Sequence, residues 1–161
     1  MLRCCGAYQY HRQNDEALLA ANTYYNNGFK YVASAYSTAY QQQNGVHKWL
    51  SASSGTAGNA VSFSQVMTIL NDGNVGINTT NPGRKLTVQG ADDGTMQLRL
   101  MGTASQTSYW DIGREAASTG QFRFIASRNG TVITPMVIDD QTGNVGIGTT
   151  NPSKLLTVGG S

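Results

Sequence analysis

Charged residues are scarce in this sequence: Asp, Glu, Lys and Arg make up 12% of its 161 residues, about half the usual share. Eleven Lys and Arg against nine Asp and Glu leave a net charge of +2. No basic stripe of the kind that neutralises phosphates is present, so no nucleic acid is expected as a partner. Glutamate occurs only twice, at Glu16 and Glu115, which removes a good charged helix former. The cysteines, Cys4 and Cys5, are adjacent and cannot easily meet disulfide geometry with each other. With His11 and His47 they fall short of the spaced pairs that a structural zinc site needs, so neither metal nor cofactor is expected. Long apolar runs are also missing. Nothing approaches the roughly 20 residues of a membrane span, and residues 1–13 lack the apolar stretch of a secretory signal, so a soluble chain without membrane insertion is expected. Leu, Ile, Val and Phe total 31 residues, just under the roughly one-fifth line that marks disorder when net charge is also high, which here it is not. Gly, Thr, Ser, Asn and Gln fill the space with 73 residues, a composition suited to turns and solvated strand faces.

An internal repeat organises the rest. Residues 73–90 read GNVGINTTNPGRKLTVQG and residues 143–160 read GNVGIGTTNPSKLLTVGG, identical at 13 of 18 positions. Upstream, Met67-Thr68-Ile69 answers to Met136-Val137-Ile138, with one residue inserted before the second copy. Farther back each copy has a tryptophan, Trp49 or Trp110, and then a Phe-bearing strand over 61–64 or 121–125. The expected organisation is an N-terminal segment over 1–22, a first β module over 23–90 and a second over 91–161. Within the first segment, Asn14 as N-cap, Asp15 and Glu16 in the first turn and residues 17–21 behind them outline a short helix or arm.

Within each module apolar and polar residues alternate, the period of a strand with one apolar and one polar row. Leu98 and Leu100 face one way and Gln97 and Arg99 the other; Phe122 and Phe124 flank Arg123. Hairpin turns are signalled at Asn27-Gly28, Asn44-Gly45, Asp72-Gly73, Asp93-Gly94 and Asn129-Gly130. Asn81-Pro82 and Asn151-Pro152 punctuate the step to the next strand, because proline donates no ladder hydrogen bond. The predicted fold is all-β, two tandem hairpin-rich modules. Such short strands cannot enclose a wide core from one module, so partners must supply the other half. The assembly expected is a fibre-like β-sandwich or β-prism, with Gly146-Ile147-Gly148 permitting close backbone approach near its axis.

The stretch Met136-Val137-Ile138, then Thr142 through Pro152, then Leu156-Thr157-Val158 resembles a segment recurring in bacteriophage tail fibres and other virion appendage proteins. Residues 26–31 and 54–63 resemble modules of the same proteins, so the likeness spans roughly residues 22–160. The resemblance implies a homotrimeric β-rich fibre, spike or capsid decoration that serves host attachment. Its implied partners are other virion tail or capsid proteins and a host surface glycan; its implied location is the virion, after assembly in the host cytoplasm. The family segment often lies near a self-cleaving chaperone domain, and none follows Ser161, so a fragment, a mature product or a short decoration protein is expected. The alternative is a carbohydrate-binding module of a bacterial surface protein.

Candidate glycan contacts are Trp49, Tyr109 and Trp110, whose rings could stack on sugars; packing within or between chains is the preferred reading. Tyr24, Tyr25, Tyr31, Tyr36 and Tyr40 with Gln41 to Gln43 allow the same two readings, strand packing again preferred. Asp111 and Glu115 are the Asp–Glu pairing that suggests a glycosidase dyad, but exposed carboxylates are commonplace and no nucleophile elbow accompanies His47. Residues 71–74 and 139–144 look like calcium loops but lack the closing glutamate. Gly146-Ile147-Gly148 is followed by strand, not by the helix a pyrophosphate needs. The chain is expected not to be an enzyme.

Overall fold

The structure, a computed structural model, describes residues 9–13, 16–90, 97–101, 107–115 and 120–159, with the backbone alone for 9–13. It is all-β, and no helix occurs among the described residues. The chain divides into two compact units, Met1–Gln89 and Gly90–Ser161.

The first unit holds strands β1 (Gln9–Gln13), β2 (Glu16–Ala21), β3 (Thr23–Tyr25), β4 (Phe29–Tyr31), β5 (Ala35–Gln43), β6 (Val46–Gly55), β7 (Ser64–Ile69), β8 (Val75–Ile77) and β9 (Leu86–Val88). Seven of them form one sheet in the order β1-β2-β5-β6-β7-β8-β9, and β3 pairs with β4 in a separate ribbon. The helix expected over 14–21 is corrected. Glu16–Ala21 is strand, bonded to β1 on one side and β5 on the other, with Leu18 and Ala20 buried and Leu19 and Ala21 exposed. That period of two satisfies both edges of the backbone, which an isolated six-residue helix could not do.

The second unit holds β10 (Leu98–Met101), β11 (Tyr109–Arg114), β12 (Phe122–Arg128), β13 (Thr131–Ile138), β14 (Val145–Ile147) and β15 (Leu156–Val158), in that order across one sheet. Asn44-Gly45 and Asn129-Gly130 make two-residue hairpin turns with both residues at positive φ, the backbone that matches strand twist. Asp93-Gly94 lies outside the described residues.

The sequence repeat is a structural repeat of three strands. Met67, Thr68 and Ile69 pair with Ile77, Gly76 and Val75, and Met136, Val137 and Ile138 pair with Ile147, Gly146 and Val145 in the same antiparallel register. β9 and β15 then add in parallel, Val75 opposite Leu86 and Val145 opposite Leu156. The inserted residue sits in the hairpin loop, closed by a hydrogen bond from Leu70 N–H to the Asn74 carbonyl in one copy and from Asp139 N–H to the Asn144 carbonyl in the other. The Asn-Pro turns are held alike: Asn74 Nδ2 donates to the Pro82 carbonyl and Asn144 Nδ2 to that of Pro152, both at 3.2 Å. Even the difference between the copies is physical. Asn78 and Gly148 occupy equivalent positions at φ 58° and 66°, a left-handed backbone that Asn and Gly tolerate best.

Each copy is preceded by a bulge. The β6–β7 register shifts between Trp49 and Leu50, leaving Val66 extra, and the β12–β13 register shifts between Phe124 and Ala126, leaving an extra residue at Thr134-Pro135. The carbonyls of Val66 and Pro135 accept equivalent hydrogen bonds from the N–H groups of Asn78 and Gly148. A proline inside β13 is tolerated there because a bulge releases it from donating to the ladder.

Candidate functional site

Strand alternation and cross-strand register sort each sheet into two faces. In the second unit one face carries the row Leu98, Ile112, Phe124, Met136, Ile147 and Val158, each directly opposite the next across all six strands. Beside it run Leu100, Trp110, Ala126 and Ile133 on one side and Phe122, Ile138, Val145 and Leu156 on the other. In the first unit the matching row is Leu19, Tyr40, Trp49, Met67, Ile77 and Val88, flanked by His47, Ile69, Val75 and Leu86.

These apolar faces are the ones the chain leaves open. None of the row residues of the second unit is buried, and Leu98, Leu100, Trp110, Leu156 and Val158 are each half exposed or more. The chain covers much of the opposite, more polar faces, although Met101 and Val132 at the edge of the second unit's are more than half exposed. There Leu18, Ala20 and Ala39 pack under Phe29, Leu50 and Phe63, and Thr68 and Val137 are fully buried. The Thr79 and Thr149 carbonyls press so closely on Gly76 and Gly146 that a Cβ on either would lie 2.5 Å from them. Within the chain, then, Gly146 makes room for its own turn and Gly148 supplies positive φ.

The candidate residues distribute unevenly over these faces. Trp49 lies on the open face of the first unit, with its ring centroid 5.1 Å from that of Tyr40. Trp110 lies on the open face of the second, bordering a concavity of about 990 Å3 with Leu100, Tyr109, Ala126 and Ile133. Tyr109 points to the other face, beneath the Arg99 guanidinium 3.6 Å from its ring centre. Trp49 and Trp110 are not counterparts, as their place in sequence suggested. Trp49 sits one strand before the repeated hairpin and answers to Phe124, whereas Trp110 sits two strands before it. Nor do residues 61–63 form a strand, since β7 begins at Ser64 and Phe63 caps the buried cluster.

Of the tyrosines, Tyr31 is buried over Gly55 and donates to the Ser53 carbonyl at 2.6 Å. Tyr25 and Tyr36 are exposed. Tyr40 joins a polar chain on the open face: Gln42 Nε2 donates to its hydroxyl at 3.0 Å, and that hydroxyl meets His47 Nδ1. Sequence reasoning weighed His47 only as a metal or catalytic residue. Its spacing of two from Trp49 is the signal that would have placed it on the same face.

Asp111 is buried and held bidentately by Arg99 at 2.7 and 2.8 Å. Glu115 is held by Arg123 at 2.6 Å, which in turn donates to Gln121 Oε1. Both carboxylates of the candidate glycosidase dyad are thus paired with arginines, Asp111 with Arg99 across β10 and β11 and Glu115 with Arg123 of β12. Asp139 accepts hydrogen bonds from the Thr142 hydroxyl and N–H, each at 2.8 Å, and from Gln141 N–H; these hold its carboxyl below the ordinary aspartate range, the Thr142 hydroxyl contributing most. Among the described residues no group of three or more His, Cys, Asp and Glu is placed to hold a metal ion, and no helix is long and apolar enough to cross a membrane. Cys4 and Cys5 lie outside the described residues.

No protein-family model matches the chain, and no curated protein matches it significantly.

Proposed function

We propose that this chain is a virion structural protein, a segment of a homotrimeric tail fibre, spike or capsid decoration that works in host attachment and carries no catalytic site. The observation that carries the reading is the open apolar face repeated in each unit. Eight large apolar residues of the second unit, Leu98, Leu100, Trp110, Phe122, Ile133, Ile147, Leu156 and Val158, are between 38% and 67% exposed. At roughly 150–200 Å2 per side chain, half exposure leaves on the order of 700 Å2 uncovered, near the ~800 Å2 per partner of a stable interface and above the few hundred that monomers usually show. Only Arg114 and Arg128, at opposite rims, bring charge to that face among the described strand residues. A second copy supplies a surface of the same chemistry, and three around an axis pool their rows into one core. The repeated segment and its resemblance to virion appendage modules support placing that assembly on a virion, beside tail or capsid proteins. An antiserum against the purified chain is expected to label an appendage of purified virions in negative stain and to block their adsorption to cells. Particles that never label, with the chain found in a bacterial envelope instead, would overturn the reading.

A second reading, a carbohydrate-binding module, is favoured by the concavity beside half-exposed Trp110, with Ser108, Arg128 and Asn129 on its border. Apolar floors with a few polar groups suit sugar rings. Binding of a host glycan that Trp110→Ala abolishes, in a chain that stays monomeric, would select it.

A further inference from the structure

Asn27, Asn44 and Asn129 each precede a glycine, and all three are exposed at positive φ. What differs is how the following glycine is held. We propose that Asn27-Gly28, at the tip of the β3–β4 ribbon, is a self-modifying site whose asparagine converts without an enzyme to aspartate and isoaspartate, whereas Asn129-Gly130, the same dipeptide in the second unit, is held against that reaction.

The reaction needs only the chain and water. The Gly28 nitrogen gives its proton to solvent base and attacks Cγ of the Asn27 amide. The new N–C bond closes a succinimide ring, and the side-chain nitrogen leaves, protonated, as ammonia. Water then adds to one of the ring's carbonyl carbons and breaks its bond to nitrogen. Opening at Cγ leaves aspartate in the original chain; opening at the main-chain carbonyl leaves isoaspartate, with the chain routed through Cγ and lengthened by one atom. Nothing is oxidised or reduced. Either product adds a carboxylate, so the net charge of +2 falls by one and the ribbon tip passes from neutral to anionic.

The nucleophile is free at Gly28. Its N–H donates to no described residue, while its carbonyl accepts from Asn26 N–H at 2.9 Å. A Cβ added there would meet nothing within 4 Å, so the approach is open on every side. At Gly130 the corresponding N–H donates to the Thr107 carbonyl at 3.2 Å, and Asn129 N–H donates to Ser108 Oγ at 3.3 Å. Those bonds keep the proton on the nitrogen and tie the turn down.

Asn44-Gly45 falls between the two. Gly45 N–H is also unbonded among the described residues, but its two-residue turn closes the long β5–β6 ladder and lies against Asn71, whose Cβ would be 3.4 Å from a Cβ on Gly45. Ring closure turns the Asn Cα–C bond away from its hairpin value, so the turn must open first. Opening costs least at Asn27, in a three-residue loop on a ribbon of three pairs. The body of that ribbon is pinned separately, the Phe29 carbonyl accepting from Val61 N–H at 2.8 Å and Tyr31 N–H donating to the Asn59 carbonyl at 3.0 Å. The tip can therefore open while Phe29 stays on the buried cluster.

The test incubates the full chain at pH 8 and 37 °C, measures ammonia, and maps the digested peptides by mass spectrometry with electron-transfer fragmentation to separate the two acids. The expected result is conversion of Asn27 at least tenfold faster than of Asn129, with Asn44 between them, and a rate that falls when the pH is lowered. In concentrated urea, where the turns are lost, the three rates are expected to converge. Conversion of Asn129 as fast as Asn27 in the folded chain would overturn the inference. So would an Asn27 that stays intact in the folded chain while converting in urea, or a ranking that urea leaves unchanged, which would make it a property of sequence alone.

Discussion

Gly76→Ala should destabilise the first unit sharply, although it adds one methyl group to a chain rich in glycine. The new Cβ would stand 2.5 Å from the Thr79 carbonyl oxygen and 3.0 Å from Cγ2 of both Thr68 and Thr79. Relief by backbone motion is blocked on two sides, because Gly76 is in register with Thr68 in β7 and Thr87 in β9. The Thr79 turn is itself tied down, its hydroxyl accepting from Asn81 N–H at 3.4 Å and Asn74 Nδ2 reaching the Pro82 carbonyl. Overpacking of this kind costs about 1–3 kcal/mol. Gly83→Ala is the control: its Cβ would meet nothing within 4 Å and its φ is not positive, so it should be neutral or gain about 0.4–1 kcal/mol through the unfolded state. Urea denaturation followed by tryptophan fluorescence reads both. A fall in midpoint at constant slope is expected for Gly76→Ala only. Equal midpoints for the two variants would refute the claim that the repeated glycine is fixed by contact with its own turn.

Other expectations follow from the same geometry. Asn78→Gly should be tolerated, whereas Asn78→Val forces a β-branched residue to φ 58° and should cost about 1–2 kcal/mol in the same assay. The Asp139 carboxyl is held below its unfolded value, so its contribution is full above that value and drains as pH falls through the lower folded one. Asp139→Asn should therefore remove part of the acid sensitivity of the second unit below about pH 4, read from unfolding midpoints between pH 5 and 2. Asp111→Leu should destabilise less than Asp111→Ala if well packed, since both release Arg99 while only the second leaves a hole at a buried position.

Strand was legible where the pattern was local. The Asn-Gly turns, the alternating rows around Phe122 and Phe124 and the repeat itself needed only neighbouring residues, and the structure places strands in each. Glu16–Ala21 misled because a helical cap and an alanine-rich run are local signals, while the deciding bonds to β5 come from residues more than 15 positions away. Trp49 and Trp110 misled for a related reason. Linear order does not reveal how many strands separate a residue from the hairpin, and the two units reach it by different paths. Alternation showed that each strand has two faces but not which one the chain covers. Segments outside the sheet decide that, through Phe29 of the β3–β4 ribbon and the loop residue Phe63 in the first unit and the Thr149 turn on Gly146 in the second.

The most direct test of the open-face account is the solution mass of the purified chain at neutral pH, measured by sedimentation or light scattering beside Ile147→Asp. The account predicts three times the 17.2 kDa of one chain, persisting until unfolding, and at least a hundredfold weaker association for the variant, whose position is already exposed in the single chain. A stable, cooperatively folded monomer at every concentration, unaffected by Ile147→Asp, would contradict it.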